Sequence, residues 1–342
     1  MKNKNIVTIG GGTGSFTLLL GLKKYPINIS AIVSMADDGG STGVLRDELG
    51  VLPPGDVRQC LAALSDSSDI LRKLMNYRFE KGGLAGHNFG NLLLSALEKI
   101  TGHFSTGVEE AAKILNVKGE VIPVTNENMR LAIKLKNGKI ILGEKELDHN
   151  KEIQNIGIEK ISLESKVSAY PRALERIKKA NFIIIGPGDL YGSILPNLLV
   201  SGISEAIKNS KAKVIYNCNL TNKKGQTSDF TIDDYVNIIN KYIGKDRIDF
   251  VTFNNKKPAK ELIVKYEKIE GKGTIVSFDK NKTRRYKIIQ ADLLHKIKIK
   301  FDDNDSISTT RSFIRHDSER LAKLIMMILE LGEYENIIKE II

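Results

Sequence analysis

The strongest constraint on the fold lies at the start of the sequence, where an apolar segment runs into a glycine cluster and out into a second apolar segment. The stretch reads IVTIGGGTGSFTLLLGL, from Ile6 to Leu22. A strand, a glycine-rich loop and a helix in this order present unpaired backbone N–H groups at the helix N-terminus, a common arrangement for binding phosphate. The segment therefore predicts the first βα unit of an α/β fold, with an anion site in its loop.

The glycine spacing argues against a nicotinamide dinucleotide. A G-x-G-x-x-G series that starts at Gly10 needs a third glycine where the chain has Ser15, and a series that starts at Gly12 needs one where it has Thr17. No Walker lysine follows the loop, which excludes a P-loop NTPase mechanism. A tight turn that binds nothing is the alternative to a phosphate cradle. The residues predicted to contact phosphate are Gly10, Gly11, Gly12, Thr13 and Gly14.

A second glycine-rich loop follows the next apolar segment, INISAIVSM, and reads ADDGGSTG over residues 36–43. Loops at the carboxyl ends of neighbouring parallel strands converge on one crevice, which is where ligands bind in open α/β sheets. Asp37 and Asp38 are the predicted ligand or Mg²⁺ contacts, with a turn-capping role as the alternative. Asp56 is interpreted as the N-cap of the helix VRQCLAALS, with Gln59 in the capping-box position.

The segment GHNFGNLLLSALEKI begins with small and polar residues and becomes apolar, which predicts a helix whose N-terminal end carries His87 and Asn88. Both are candidate ligand contacts. His87 and His316 are also candidate proton carriers, with a structural role as the alternative. The five histidines show no zinc-ligand spacing and the chain has no G-x-S-x-G motif, so no catalytic residue is assigned.

Between about residues 121 and 165 the pattern changes to alternation around Asn137-Gly138, which predicts an antiparallel β-hairpin insertion. The strand–loop–helix pattern then returns in NFIIIGPGDLYGSILP and KVIYNCNLTN, and a later strand is predicted at GTIVSF. The predicted fold is thus α/β, a Rossmann-like parallel sheet flanked by helices with this insertion. No repeat or linker divides the chain, which favours a single domain over residues 1–342.

Composition limits the remaining classes of function. Only Cys60 and Cys218 are present and no signal peptide or membrane span is visible, so a cytoplasmic location is expected. The net charge of +11 would permit nucleic-acid binding, but lysines dispersed along 342 residues are typical of a solvated surface. Nucleic acid is therefore not favoured as a partner, and a homo-oligomer stays open.

Several motifs together resemble the CofD-like family, in particular its YvcK branch, the gluconeogenesis factors. They are GGGTG, ADDGGSTGVLRDELGVLPPGDVRQCLAALSD, GHNFGNLLLSAL, IIIGPGDLYGSILPNLLVSGISEAI and the late RHD. The resemblance implies a Rossmann-like fold that binds a nucleotide at the first glycine loop. It implies a regulatory protein of gluconeogenic growth, cell shape and envelope synthesis that binds a UDP-sugar. The alternative is a Mg²⁺-dependent transferase of a phospho group, similar to 2-phospho-L-lactate transferase.

The same resemblance implies ligand contacts in the second half of the chain. Tyr266 offers a ring that would stack on a uracil or a sugar, and Arg315 offers a planar fork for a diphosphate. In the alternative interpretation Tyr266 packs on its own helix and Arg315 pairs with Asp317. The other implied contacts are Gly186, Gly188, Asn217 and Asn219.

The chain departs from the family pattern at two of these loops. Where the family has GPGSLYTS, this chain has GPGDLYGS, which introduces Asp189 beside the expected anion site. Lys223 and Lys224 replace uncharged residues of the family's C-N-x-M-T-Q-x-G-E-T motif, and Gln226 replaces its glutamate. A phosphate bound at the first of these loops is expected to be repelled by Asp189.

Overall fold

Ten strands are present in residues 4–296 and 314–341, the part of the chain that the computed structural model describes. They are β1 (Asn5–Gly10), β2 (Asn28–Val33), β3 (Glu120–Pro123), β4 (Leu131–Leu135), β5 (Ile140–Leu142), β6 (Ile158–Leu163), β7 (Phe182–Ile185), β8 (Lys213–Asn217), β9 (Ile248–Asn254) and β10 (Lys287–Ala291). The prediction of a single domain over 1–342 includes residues 297–313, which lie outside the described part.

Helices connect most of the strands. A π-helical turn spans Leu190–Ile194. The α-helices are α1 (Gly12–Leu22), α2 (Gly40–Leu49), α3 (Gly55–Leu64), α4 (Asp69–Asn76), α5 (Phe89–Thr101), α6 (Phe104–Ile114), α7 (Glu146–His149), α8 (Lys151–Ile156), α9 (Pro171–Lys179), α10 (Leu195–Leu199), α11 (Ile203–Asn209), α12 (Ile232–Ile243), α13 (Lys260–Glu270) and α14 (Ser318–Ile341). Within the described residues no helix combines the length and apolar character that crossing a bilayer requires.

Seven strands form one parallel sheet in the order β10-β9-β8-β7-β1-β2-β3. The central strands β1 and β7 are almost entirely buried, as strands covered on both faces must be. The chain builds outward from β1 to β3 on one side and from β7 to β10 on the other. The order therefore reverses between β1 and β7, and such a reversal opens a crevice at the carboxyl ends of the strands. The predicted Rossmann-like parallel sheet is confirmed.

A second sheet of three antiparallel strands, in the order β5-β4-β6, forms the predicted insertion. The sequence prediction placed the start of the insertion too early, because residues 121–123 pair in parallel with β2 and belong to the main sheet. It also missed that β6 extends the hairpin to three strands. The segment after β5 runs to α7 and lies against the ligand crevice, which is how the insertion contributes to the candidate site.

The predicted strand at GTIVSF is wrong. Ile275 and Ser277 in this segment make only isolated bridges, to Thr221 and Thr231 respectively. The last strand of the main sheet is β10 instead, which pairs with β9 along its length. Short apolar segments flanked by glycines are ambiguous to pattern analysis, since both a strand and an irregular connection satisfy the same spacing.

Candidate functional site

A cleft of about 1410 Å³ runs along the carboxyl ends of the strands and is called the large cleft below. Its walls include the glycine loop after β1, the Gly-Pro-Gly loop after β7 and the segment after β8. Seven of the predicted site residues line it: Gly11, Thr13, Gly14, Asn88, Gly188, Asn219 and Arg315. A smaller cavity of about 530 Å³ adjoins it and includes Gly12 and Asp37. Among the described residues, the remaining predicted contacts line neither cavity: Gly10, Asp38, His87, Gly186, Asn217 and Tyr266.

The glycine loop turns directly into α1, with Gly11 as the N-cap and Gly12 as the first helical residue. Gly12 has a φ of +59°, in the left-handed region that favours glycine. A Cβ at Gly14 would collide with the backbone carbonyl of Pro187, so this glycine lets the loops after β1 and β7 pack together. The backbone N–H groups in the first turn of α1 have no partner within the helix, and since that of Gly12 bonds to Asp56, those of Thr13 and Gly14 are the candidates for a ligand contact.

The smaller cavity is lined by carboxylates and is called the acidic pocket: Asp37, Asp56, Glu144, Glu146, Asp148 and Asp189. The prediction that Asp56 caps a helix is wrong. Pro54 occupies the N-cap position of α3, and Asp56 lies inside its first turn. Its buried carboxyl instead lies against the glycine loop, where the N–H of Gly12 bonds to it and a Cβ at Gly11 would collide with it.

Burial and mutual repulsion make three of these carboxylates, those of Asp37, Asp56 and Glu144, hard to ionise. Burial, followed by the charge of Asp37, raises the pKa of Asp56 to about 8. Burial also raises the pKa of Asp37, although the N–H of Gly39 and the hydroxyl of Thr42 bond to its carboxylate. The pKa of Glu144 is raised well above its ordinary value by burial and then by Asp37 and Asp56. A bound cation would relieve this repulsion, because it stabilises the ionised forms.

Asp38 has a different environment from its neighbour. Its Oδ1 accepts a hydrogen bond from the backbone N–H of Lys145 at 2.7 Å. A Cβ at Gly143 would approach its Oδ2 to 2.7 Å, so the carboxylate packs closely against the turn after β5. Asp38 thus ties the insertion to the second glycine-rich loop, while Asp37 faces the acidic pocket.

Two departures from the family pattern contact each other. Lys223 Nζ lies 2.7 Å from Asp189 Oδ2 and 2.7 Å from Asp148 Oδ1. Burial would raise the pKa of Asp189, but Lys223 and the N–H groups of Gly192 and Tyr191 together hold it below its ordinary value. The repulsion expected of Asp189 is therefore largely neutralised by a lysine that the same chain supplies. Lys223 lines both cavities and forms part of their boundary.

Asn217 and Asn219 position the Gly-Pro-Gly loop. Asn217 Nδ2 donates to the carbonyl of Gly186 at 2.9 Å, and Asn219 Nδ2 donates to the carbonyl of Gly188 at 2.8 Å. The Oδ1 atom of Asn217 also accepts a hydrogen bond from the hydroxyl of Thr252. Both amides therefore support the loop, and Asn219 additionally lines the large cleft.

His87 and Asn88 lie at the N-terminus of α5, as predicted. Asn88 is the N-cap, and its Oδ1 accepts from the N–H groups of Gly90 and Asn91. The Nδ1 atom of His87 lies 3.2 Å from the Oγ of Ser41 in α2. This pair links two loops at the edge of the crevice, and Asn88 is the member that reaches the large cleft.

Arg315 lines the large cleft and Tyr266 does not, although Tyr266 contacts the segment that carries Arg315. The Tyr266 hydroxyl in α13 accepts a hydrogen bond from the N–H of Ile314 at 3.2 Å, which brings it beside the segment that carries Arg315. Asp317 has partners of its own: it lies 3.4 Å from His295 and accepts from the N–H groups of Glu319 and Arg320. Burial lowers the pKa of His316 to about 4, so its ring is neutral at pH 7.

Glu144 and Arg58 are two of the cavity-lining residues that sequence reasoning missed. Glu144 belongs to the insertion, and nothing in a β-hairpin pattern indicates that the segment after it returns to the crevice. Arg58 lies in α3 two residues after Asp56, within a motif that was interpreted as a capping box and an apolar helix. The burial of an arginine in that helix is the observation that distinguishes it, and burial is not visible in the sequence.

Three comparisons place the chain among known proteins. Residues 6–294 match the family described as 2-phospho-L-lactate transferase CofD. A gluconeogenesis factor of Halalkalibacterium halodurans is 43% identical, covering 82% of this chain and 87% of that protein, and one of Bacillus subtilis is 37% identical, covering 96% and 99%. A crystal structure of a UPF0052 family member from Bacillus halodurans gives a TM-score of 0.84 at 37% identity, covering 95% of this chain and 100% of that one.

Proposed function

This chain belongs to the CofD family, and on that premise we propose that it is a regulatory protein of gluconeogenic growth, cell shape and envelope synthesis that binds a UDP-sugar. The regulatory part draws on relatives named gluconeogenesis factor. The proposed ligand is based on the large cleft, which offers backbone N–H groups at the glycine loop and a guanidinium group at Arg315. In this proposal the regulatory signal is the binding of the nucleotide sugar and not its turnover.

The observation that carries the proposal is the extent of the large cleft. Its lining includes both the glycine loop at the centre of the sheet and Arg315 near the C-terminal helix. Ligand pockets usually measure about 300–1000 Å³, and this cleft of about 1410 Å³ has room for a nucleoside diphosphate with a sugar attached. Backbone N–H groups of the loop suit phosphate oxygens, and Arg315 suits a second phosphate or a sugar acid oxygen.

Asp56 lies beside the loop that is proposed to hold phosphate, and a phosphate there makes its ionisation still more costly, because two anions in contact repel each other. A divalent cation between them would turn this repulsion into attraction. Among the described residues no three metal-binding side chains converge, so protein groups alone would not complete a coordination shell. Mg²⁺ is commonly held by one or two carboxylates together with phosphates and waters, and Asp37 and Asp56 fit that donor set. Bound there, the ion would neutralise charge on the phosphates and polarise them.

The acidic pocket also keeps a second function open, a Mg²⁺-dependent transferase of a phospho group. Its specific support is that carboxylates with raised pKa values adjoin the glycine loop. In that case Asp37 and Asp56 would orient the phosphates, and the large cleft would also admit an acceptor. The two functions share the binding site and differ in whether the ligand is consumed.

Calorimetric titration with UDP-N-acetylglucosamine tests the binding proposal. Arg315→Gln removes a charge-assisted contact to phosphate, and we expect the affinity to fall about 10- to 150-fold. Arg285→Gln is the matched control, since Arg285 is a strongly exposed arginine that pairs with Asp246. Equal affinity of the Arg315→Gln variant and the unaltered protein would contradict the proposed contact.

Turnover is tested on the same sample. The protein is incubated with UDP-N-acetylglucosamine and Mg²⁺, and the nucleotide is followed by chromatography. We expect the nucleotide sugar to remain intact over many hours. Steady release of UDP or UMP that depends on Asp56 would replace the regulatory proposal with the transferase.

A further inference from the structure

Arg58 is a buried arginine, only 8% exposed, that is held rigidly on one wall of the large cleft. Its Nε donates to Asn91 Oδ1 at 2.9 Å and its Nη1 donates to Asn76 Oδ1 at 2.6 Å. A Cβ at Gly90 would approach the Arg58 side chain to 2.8 Å, so the absence of a side chain there makes room for the arginine stem. These contacts fix the plane of the guanidinium.

The remaining edge of this guanidinium has no protein partner in the described part of the chain. Its hydrogen bonds all come from Nε and Nη1, which leaves Nη2. Nη2 is not among the unpartnered polar atoms that are sealed from solvent, so it is accessible. The described residues 4–296 and 314–341 give Arg58 no direct ion pair, although the carboxylates of Asp56 and Asp37 act on its charge from a greater distance. A buried positive charge without a direct ion pair is costly, and such sites are commonly completed by an anion.

A second arginine faces the same space. Arg78 lines the large cleft beside Phe79 and Glu80, and its Nη1 donates to the carbonyl of Gly86 at 2.6 Å. Burial and, after it, the positive charge of Arg78 lower the pKa of Arg58 to about 10. Both guanidinium groups line the same cleft, and their positive charges repel each other. An oxyanion between them would relieve that repulsion and receive hydrogen bonds from both.

We propose that Arg58 and Arg78 form a second anion-binding site, which takes a phosphate or carboxylate group on the wall of the large cleft formed by α3 and residues 76–80. The site is separate from the backbone N–H groups of the glycine loop. Arg58 supplies a fixed fork, and Arg78, on the exposed segment before α5, closes on the ligand from the solvent side. If the bound oxyanion is the diphosphate of the nucleotide sugar, the inference rests on the proposed function. If the oxyanion belongs to a separate small acid, the inference is independent of the proposed function.

The experiment compares Arg78→Gln with Lys81→Gln. Both residues are exposed and lie in the same segment, and the substitutions remove the same charge, but Lys81 does not line the large cleft. UDP and UMP binding are measured by calorimetry, and stabilisation by inorganic phosphate is measured by thermal unfolding at matched ionic strength in chloride. Arg58→Lys is the second variant, which keeps the charge but loses the fork.

Loss of the arginine contact should weaken binding of the oxyanion at least about tenfold. If the oxyanion is the β-phosphate of the nucleotide, Arg78→Gln weakens UDP and leaves UMP unchanged. If it is a separate acid, both nucleotides bind as before and phosphate no longer raises the melting temperature. The control variant matches the unaltered protein in every assay.

The inference is overturned if Arg78→Gln binds UDP and responds to phosphate like the unaltered protein. This result does not depend on Arg58→Lys folding, since Arg78 is exposed and its replacement leaves the core intact. A protein that binds no nucleotide, yet is stabilised by phosphate through Arg78, would refute the proposed function and support the second anion site.

Discussion

The acidic pocket and the arginine wall, which is the part of the large cleft lined by Arg58 and Arg78, are neighbouring surfaces with opposite charge. In the acidic pocket, burial and then neighbouring carboxylates raise the pKa values of Asp56 and Glu144, and on the arginine wall burial and then Arg78 lower the pKa of Arg58. Each surface thus holds like charges together at a cost in stability. The comparison supports the proposed ligand, because a nucleotide bound together with a divalent cation would neutralise both surfaces at once.

The largest expected effect concerns Lys223, which lies at the boundary between the two surfaces. Lys223→Met would leave Asp189 and Asp148 without their shared partner, and Asp189 is only 18% exposed. Losing one partner of a fully buried pair costs about 3–5 kcal/mol. Because Lys223 is 40% exposed, we expect a smaller loss in the free energy of unfolding, about 2 kcal/mol, measured by urea denaturation.

A double variant tests whether this loss comes from the unpaired charge. Asp189→Asn combined with Lys223→Met removes both charges of the pair, so much of the lost stability should return. If the double variant is as unstable as the sum of the two single variants, the pair does not act as a unit and the boundary has been misassigned.

The acidic pocket should make stability depend on pH. The folded-state pKa of Asp56, about 8, lies above its ordinary value of 3.8, so folding retains a proton that the unfolded chain loses. The contribution of the Asp56 proton to the free energy of unfolding is therefore fully present below about pH 4 and is lost as the pH rises through about 8. In metal-free buffer at pH 8, Asp56→Asn should raise the free energy of unfolding by at least about 1.4 kcal/mol, since each pKa unit corresponds to that amount.

Asp47→Asn is the control for this effect, because Asp47 is an exposed carboxylate in α2 outside both cavities. Its melting temperature should follow the pH in the same way as that of the unaltered protein. A decline in stability from pH 5 to 8 that persists unchanged in Asp56→Asn would locate the effect in another group.

The smallest expected effect concerns Tyr266, which contacts the segment that carries Arg315. Tyr266→Phe removes the hydroxyl that accepts from the N–H of Ile314 but keeps the ring. A single hydrogen bond contributes about 0.5–1.5 kcal/mol, so the melting temperature should fall slightly while stacking on a ligand is preserved. Tyr266→Leu should in addition weaken UDP-sugar binding. Identical affinities in the two variants would mean that the ring does not contact the ligand.

The parts of the fold that were predictable are those in which local pattern and environment agree. The βα unit at Ile6–Leu22 carries its glycines where the chain must turn, and its apolar strand is buried on both faces. Asp56 was misinterpreted because the capping-box spacing depends on sequence alone, whereas its burial against Gly12 depends on a loop that lies more than forty residues earlier in the chain. The site could be located from the strand ends, but its distribution of charge could not.

Asp189 and Lys223 illustrate the same limit. Each was recognised as a departure from the family pattern, and Asp189 by itself predicted repulsion of phosphate. Their contact is a tertiary one between the loops after β7 and β8, so no local pattern indicates that one compensates the other. Paired departures of this kind become visible only when the loops are placed together.

Titration of the unaltered protein with UDP-N-acetylglucosamine, in Mg²⁺ and in EDTA, tests most directly whether the two charged surfaces act together. The account predicts that Mg²⁺ strengthens binding at least about tenfold, that Asp56→Asn removes this dependence on Mg²⁺, and that Asp47→Asn preserves it. The same dissociation constant in Mg²⁺ and in EDTA would contradict it.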